Sequence, residues 1–368
     1  MSQAIIRSGP AKVALATVSA LTALGIFQHI LQSTPPYVDP VSERCLFTPS
    51  LAEGDKFMPV PLPVFDRLVC VLVPYFVDCS RTAFGRLAVQ LLMAFVAPIS
   101  WLQVVEASRA GNRWSMLACM PFAALFAYST GIGIYLPLLF VPLMIKAKPT
   151  IDSSASASAV PLARVYALLA VQVLNIVSIA AVVSPGPDSV GPENTWIPLA
   201  TAINVPLEFA LWFIYTPLTF VIKSILVPTP ASEVDKASQD RRARQLVLNS
   251  SRVFALLSAI VHMATLASFL AGTTTPVSDI LNSFRLSFRL QHLLYAPAYF
   301  LLWDFFGAIL GSFFWVLSDA KGLKEPVHFL VTAVVLSPGT ALMLHMVQRE
   351  KRLLELAHPS SEKTKKLQ

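Results

Sequence analysis

The chain has 368 residues, of which 55% are hydrophobic and only 13% charged, and its mean hydropathy is +0.63. Soluble domains carry roughly 25% charged residues, so a soluble globular protein is excluded and an all-α, polytopic integral membrane helical bundle is expected. The net charge of +7 lies in loops and at the C-terminus, which fits basic-inside topology and anionic lipid headgroups, with no nucleic-acid partner.

In chain order, residues 12–32 form an apolar run longer than a signal-peptide core and without a convincing cleavage context, read as an uncleaved first span. Residues 33–63 are a Pro-rich polar loop, too short to bury a core of its own. Residues 64–77 are apolar but short, as compatible with a re-entrant or interfacial segment as with a span. Residues 85–105 are a clear span that ends near Trp101, Gln103 and Glu106. Residues 115–145 are one apolar run with Ser129, Thr130, Gly131 and Gly133 in its middle, which predicts a kinked long helix or a tight hairpin. A small-residue linker, 149–160, leads to a span over 161–183 that contains Gln172 and Asn175.

The loop 184–195 has no basic residue, whereas 229–252 carries Lys236, Arg241, Arg242, Arg244 and Arg252. That contrast makes 229–252 a basic cytoplasmic loop and 184–195 lumenal or external. Between them, 195–228 is long enough to cross a bilayer. Further spans are expected at 253–272, 293–317 and 327–347, with an amphipathic interfacial helix at 277–291 bearing Arg285 and Arg289 and a basic C-terminal tail at 348–368. The whole, 1–368, reads as a single integral membrane domain of about eight to nine transmembrane helices.

The chain ends Lys365-Lys366-Leu367-Gln368, which resembles a dilysine endoplasmic-reticulum retrieval signal. Such a signal acts from the cytoplasm, and nine spans would put the tail on the other side. One of 64–77, 115–145 or 277–291 is therefore expected to cross a different number of times from that reading. No internal repeat is visible, which weighs against a repeat-built transporter. Cys45, Cys70, Cys79 and Cys119 lack metal-ligand spacing, and a disulfide among the first three would belong on a lumenal face.

Three acids are candidate catalytic residues: Glu208 and Asp304, in apolar surroundings, and Glu106, at the end of a span and closer to the interface. Asn204, Glu208, Trp212 and Tyr215 share one helical face, placing an amide, a carboxyl and two rings together. Tyr295, Tyr299, Trp303 and Phe306 form a second aromatic stripe, which Asp304 borders. An acid at membrane depth is costly and should face a protein cavity. A neutral carboxylic acid there can protonate an apolar substrate, and aromatic faces can hold the resulting cation with about 2 kcal/mol of cation–π attraction. These ring residues and Asn204 are candidate substrate-binding groups. The competing readings are acids hydrogen-bonded to a neighbouring helix and rings that pack on lipid or protein. Asp66 and Asp78, which bracket 64–77, are weaker candidates.

His262, with Ser258 and Thr265 on its face, would be the base of a membrane acyltransferase or prenyltransferase, or else a helix–helix hydrogen bond. Gly307 and Gly311 are spaced for close helix packing. No histidine pair is spaced for a metal, and no diphosphate-binding Asp cluster, phosphate loop, dinucleotide fingerprint, nucleophile elbow or histidine box is present. No cofactor is expected. A small-molecule transporter or a structural membrane protein remains as a non-enzymatic alternative.

The apolar anchor followed by TPPYVDP (34–40), the mid-span STGIGIYLPLLF (129–140) and the ENTWIPL entry (193–199) into the Glu208 stretch give the chain an outline. That outline resembles the fungal membrane-bound meroterpenoid terpene cyclases of the ascochlorin and ascofuranone type. The resemblance implies a lipid-like substrate, a prenyl chain on an aromatic or pyrone head with a terminal epoxide. It implies an acid that opens the epoxide, cyclisation through carbocations, and a role in secondary-metabolite biosynthesis. A dry pocket that keeps water from the cation is then required.

Overall fold

The computed structural model describes residues 9–33, 39–41, 43–47, 63–80, 82–113, 115–152, 154–183, 214–272 and 296–357. Among the described residues every regular element is helical and no strand occurs. Six helices are long and apolar enough to cross a membrane: α1 (Gly9–Ser33), α3 (Ala83–Ser108), α5 (Ile132–Ile151), α6 (Leu162–Val183), α8 (Glu233–Gly272) and α9 (Ala296–Asp319). The remaining helices are shorter or more polar: α2 (Pro63–Ser80), α4 (Met120–Thr130), α7 (Ile214–Ile225), α10 (Lys324–Val335) and α11 (Pro338–Ala357). Among the described residues six helices thus reach spanning length; of the other expected spans, 64–77 forms a shorter helix, 327–347 is interrupted, and 195–228 lies in part outside the described residues.

The first interruption lies in the run 115–145. Gly131, at φ +95°, stops α4, and α5 begins at Ile132. A left-handed φ of this kind is open to glycine at little cost. The chain before α4 and the end of α5 lie together, since the 3₁₀ turn Ala110–Asn112 packs on the last turns of α5. The segment therefore enters the bundle and returns to the end it left. The second interruption falls in 327–347, which was expected to be one span. α10 stops at Val335, Ser337 accepts a hydrogen bond from the Thr340 N–H at 2.9 Å, and α11 starts afresh at Pro338. A serine cap followed by proline at the first helical position starts a helix and cannot continue one. α10 and α11 pack on each other as a hairpin whose base is joined by Glu325 and Arg352.

Two other boundaries differ from expectation. The basic segment 229–252 is not a loop: it is helical from Glu233 and continuous with the following span, so α8 has 40 residues and is about 60 Å long. The tail expected from 348 is helical to Ala357, with Arg349 and Glu350 buried.

The bundle has two chemically distinct ends. At one, the last turn of α3, the end of α5, Arg244 of α8, Asp319 of α9 and the C-terminal half of α11 meet in a group of charged side chains. At the other, the first turns of α9 pack against Cys79 of α2 and Phe84 and Ala88 of α3. There Tyr75 of α2 lies edge-on to Phe300. A disulfide, Cys45–Cys70, ties α2 to the π-helical turn Glu43–Phe47. The disulfide joins the middle of α2, whereas the basic side chains Arg109, Arg349 and Arg352 gather at the charged end. Ala357 returns to the charged end because α10 and α11 form a hairpin. The segment 327–347, expected as one span, is therefore a hairpin that does not cross.

The core runs along α3, whose Phe95, Ile99, Trp101 and Leu102 are buried among α5, α6, α8, α9 and α11. Polar bonds between helices fix the register. Trp101 donates to Ser251 at 3.0 Å, while Gln172 and Asn175 of α6 bond Ser100 and the Ala97 carbonyl of α3. Such bonds contribute about 0.6 kcal/mol each in an apolar surrounding.

Candidate functional site

Asp304 lies in the first third of α9 and is buried. The Gly133 N–H donates to its Oδ1 at 2.7 Å, and the Ile132 N–H also bonds the carboxyl. These are the orphan donors at the start of α5, so a side chain from another helix caps a helix N-terminus inside the bundle. The positive end of the α5 dipole complements the carboxyl. Close approach makes this geometry: a Cβ on Gly131 would strike the Asp304 carboxyl, one on Gly133 its carbonyl, and one on Gly307 the Gly133 carbonyl. Gly311 touches Leu136 and Pro137 in the same way. The expected small-residue packing face of α9 is therefore real, and its partner is α5. No basic side chain pairs with Asp304 among the described residues.

The rings beside Asp304 divide between two faces. Phe305 meets Phe95 of α3 edge-on at 6.0 Å. Tyr299 and Trp303 turn towards α1, where the Tyr299 hydroxyl bonds His29 Nε2 and Trp303 lies edge-on to the same imidazole at 5.0 Å. Phe306 is partly exposed and packs near Trp303 and Phe305. His29 was not singled out from sequence. It sits at the end of an apolar run, and nothing local shows that this run crosses α9.

Glu106, the third candidate acid, is wholly buried and held by two guanidiniums, Arg109 at 2.9 Å and Arg349 at 3.3 Å. Around it, Arg109 also pairs with Glu350, Arg349 and Arg352 with Asp319, and Lys148 with Asp319 at 3.1 Å. His345 Nε2 lies 3.1 Å from Asp319. Burial disfavours the charged form of Arg109 and Arg349. The surrounding carboxylates, Glu106 and Glu350 for Arg109 and Asp319 and Glu106 for Arg349, outweigh it and hold both above the ordinary arginine range. Removing one partner from such a group leaves a buried charge uncompensated. Glu106 is a brace between α3 and α11.

Tyr215, expected to share a face with Glu208, bonds Ser108 at 3.0 Å. It therefore lies at the charged end, whereas Tyr299 lies near the other. These two candidate binding residues do not line one pocket. Glu208, Asn204, Trp212 and Tyr295 lie outside the described residues. Asp66, a weaker candidate, is buried on the first turn of α2. His262 is half-buried on α8. Ser258, the hydroxyl below it, is engaged with Ser337 at 3.0 Å. No group of His, Cys, Asp and Glu able to hold a metal occurs among the described residues.

The class that the fold defines is an all-helical protein with about six candidate membrane-spanning helices, two interrupted apolar segments and, among the described residues, a buried Asp304 without a basic partner. Compared with protein-family models, with curated proteins and with solved structures, the chain matches none.

Proposed function

We propose that the protein is a membrane-bound terpene cyclase. In this reading it opens the terminal epoxide of a prenylated aromatic or pyrone precursor and cyclises the polyene chain in secondary-metabolite biosynthesis. Asp304 is the proton donor. Its O–H proton passes to the epoxide oxygen, the C–O bond opens, and the nearest alkene attacks the electron-poor carbon. The cascade ends when a base removes a proton, so the product is an isomer of the substrate and no cofactor is consumed.

One observation carries this reading: of the two candidate acids that are described, only Asp304 lacks a cationic partner among the described residues. Glu106 is neutralised by two arginines; Asp304 meets backbone N–H groups and stands beside Trp303, Phe305 and Phe306. Rings so placed suit a cationic chain. An endoplasmic-reticulum setting belongs to the same proposal.

The test is a microsomal assay with an epoxidised farnesyl-phenol, reading a product of unchanged mass and altered retention. Asp304→Asn keeps an acceptor for the Gly133 N–H and removes the acid. We expect the product to disappear while the amount of folded protein is preserved. Glu208→Gln, run alongside, reports on the second acid. An isomeric product from both single variants at the wild-type rate would remove these acids from the mechanism. No product from folded wild-type protein on several epoxides would end the cyclase reading.

A further inference from the structure

A cavity of about 370 Å³ opens at the charged end, away from Asp304. Its walls come from the start of α6, from α7 and from the start of α8. Arg164 and Lys223 supply two cations, Asp240 one anion, and Thr216, Thr219 and Gln239 neutral hydrogen-bonding groups. Arg164 spends only a long contact, 3.5 Å, on the Ser108 carbonyl, and Lys223 has no acidic partner among the described residues. Tyr215, whose hydroxyl is anchored to Ser108, forms the inner wall. The loop from α7 to α8 is pinned by Gln239, which donates to the Pro228 carbonyl at 2.8 Å.

Three features point to the occupant. The two cations against one acid leave the site net positive. The cavity lies at the end that basic residues mark as the cytoplasmic boundary of the bilayer, where anionic headgroups concentrate. Its outer wall continues onto the apolar surface of α7, where Phe220, Val221, Ile225 and Leu226 are exposed, Ile225 at 74%. A water-soluble anion has no use for that surface, and an acyl chain does. We propose that this cavity binds the phosphate-bearing headgroup of an anionic glycerophospholipid, with Arg164 and Lys223 on the phosphate and the acyl chain along α7. Asp240 then favours a headgroup that also carries a donor, such as the ammonium of phosphatidylserine.

The experiment reconstitutes the full-length protein in phosphatidylcholine nanodiscs, with and without phosphatidylserine, and measures retained lipid by native mass spectrometry. Wild-type protein is expected to keep phosphatidylserine, and the Arg164→Gln/Lys223→Gln double variant to bind it roughly 30-fold more weakly. Lys223→Arg, which preserves charge, should bind as wild type does, and an unchanged melting temperature shows that the double variant is folded. Equal retention by wild type and the double variant would overturn the proposal. So would inorganic phosphate retained by wild type and lost from the double variant in phosphatidylserine-free discs, with phosphatidylserine unable to displace it, because that outcome makes the site one for free phosphate.

Discussion

The two interrupted helices solve one problem in different ways. Each enters the bundle from the charged end, stops part-way and restarts, leaving backbone N–H groups of a new helix inside the protein. At the α4–α5 break the orphan donors meet a carboxyl from another helix, Asp304, brought there by the contact of Gly133 with Gly307. At the α10–α11 break they meet a hydroxyl of the chain itself, Ser337, which is in turn linked to Ser258 and to Thr340. The first break is fixed by backbone fit and leaves an acid without a counter-charge. The second needs no acid at its tip and is held at its base by the Glu106, Asp319 and Arg349 group. A carboxyl where a hydroxyl suffices is the difference that makes Asp304 the place to look for chemistry.

This comparison is broken most severely at the base of the second hairpin. Arg349→Met leaves Asp319 and Glu106 short of a cation, and the expected loss is about 3–5 kcal/mol, read as a large drop in the melting temperature of detergent-solubilised protein. Turnover per folded molecule should change little, since Arg349 is remote from Asp304. If stability is unaffected, the charged group is not a brace.

The next effect falls at the first break. Gly307→Ala inserts a methyl group into the Gly133 carbonyl, which should cost about 1–3 kcal/mol. In contrast to Arg349→Met, it should also change catalysis, because it displaces the donors that hold Asp304. Normal catalysis and stability together would show that the close contact is not needed.

The smallest effect is at the second tip. Ser337→Ala removes one cap and should cost about 1 kcal/mol, measurable as a modest melting shift with product formation unchanged. A loss of activity there would erase the contrast between the two breaks.

By itself the amino-acid sequence determined the helical membrane class, most long helices and the placing of Asp304 inside an apolar helix. It also determined the small-residue contact at Gly307 and Gly311. These follow from composition and from apolar periodicity along one segment, which are local properties. The run 115–145 was legible as a kinked helix or a tight hairpin because the glycines sit within it. The interruption at Ser337-Pro338 carries equally local cap chemistry, but the apolar run 327–347 masked it, and so the return of Ala357 to the charged end of the bundle is seen only in the hairpin. The helical nature of 233–252 was hidden by its charge, which reads as a loop signal although charged residues form helices readily.

What only the tertiary structure decided is which charges meet. Arg109 and Glu350 are separated by 241 residues and Asp304 and Gly133 by 171. Pattern along the chain cannot report such pairings, because they depend on how helices cross rather than on what each helix contains. Packing therefore assigned the two acids different roles: it gave Glu106 two arginines and Asp304 only the start of a helix.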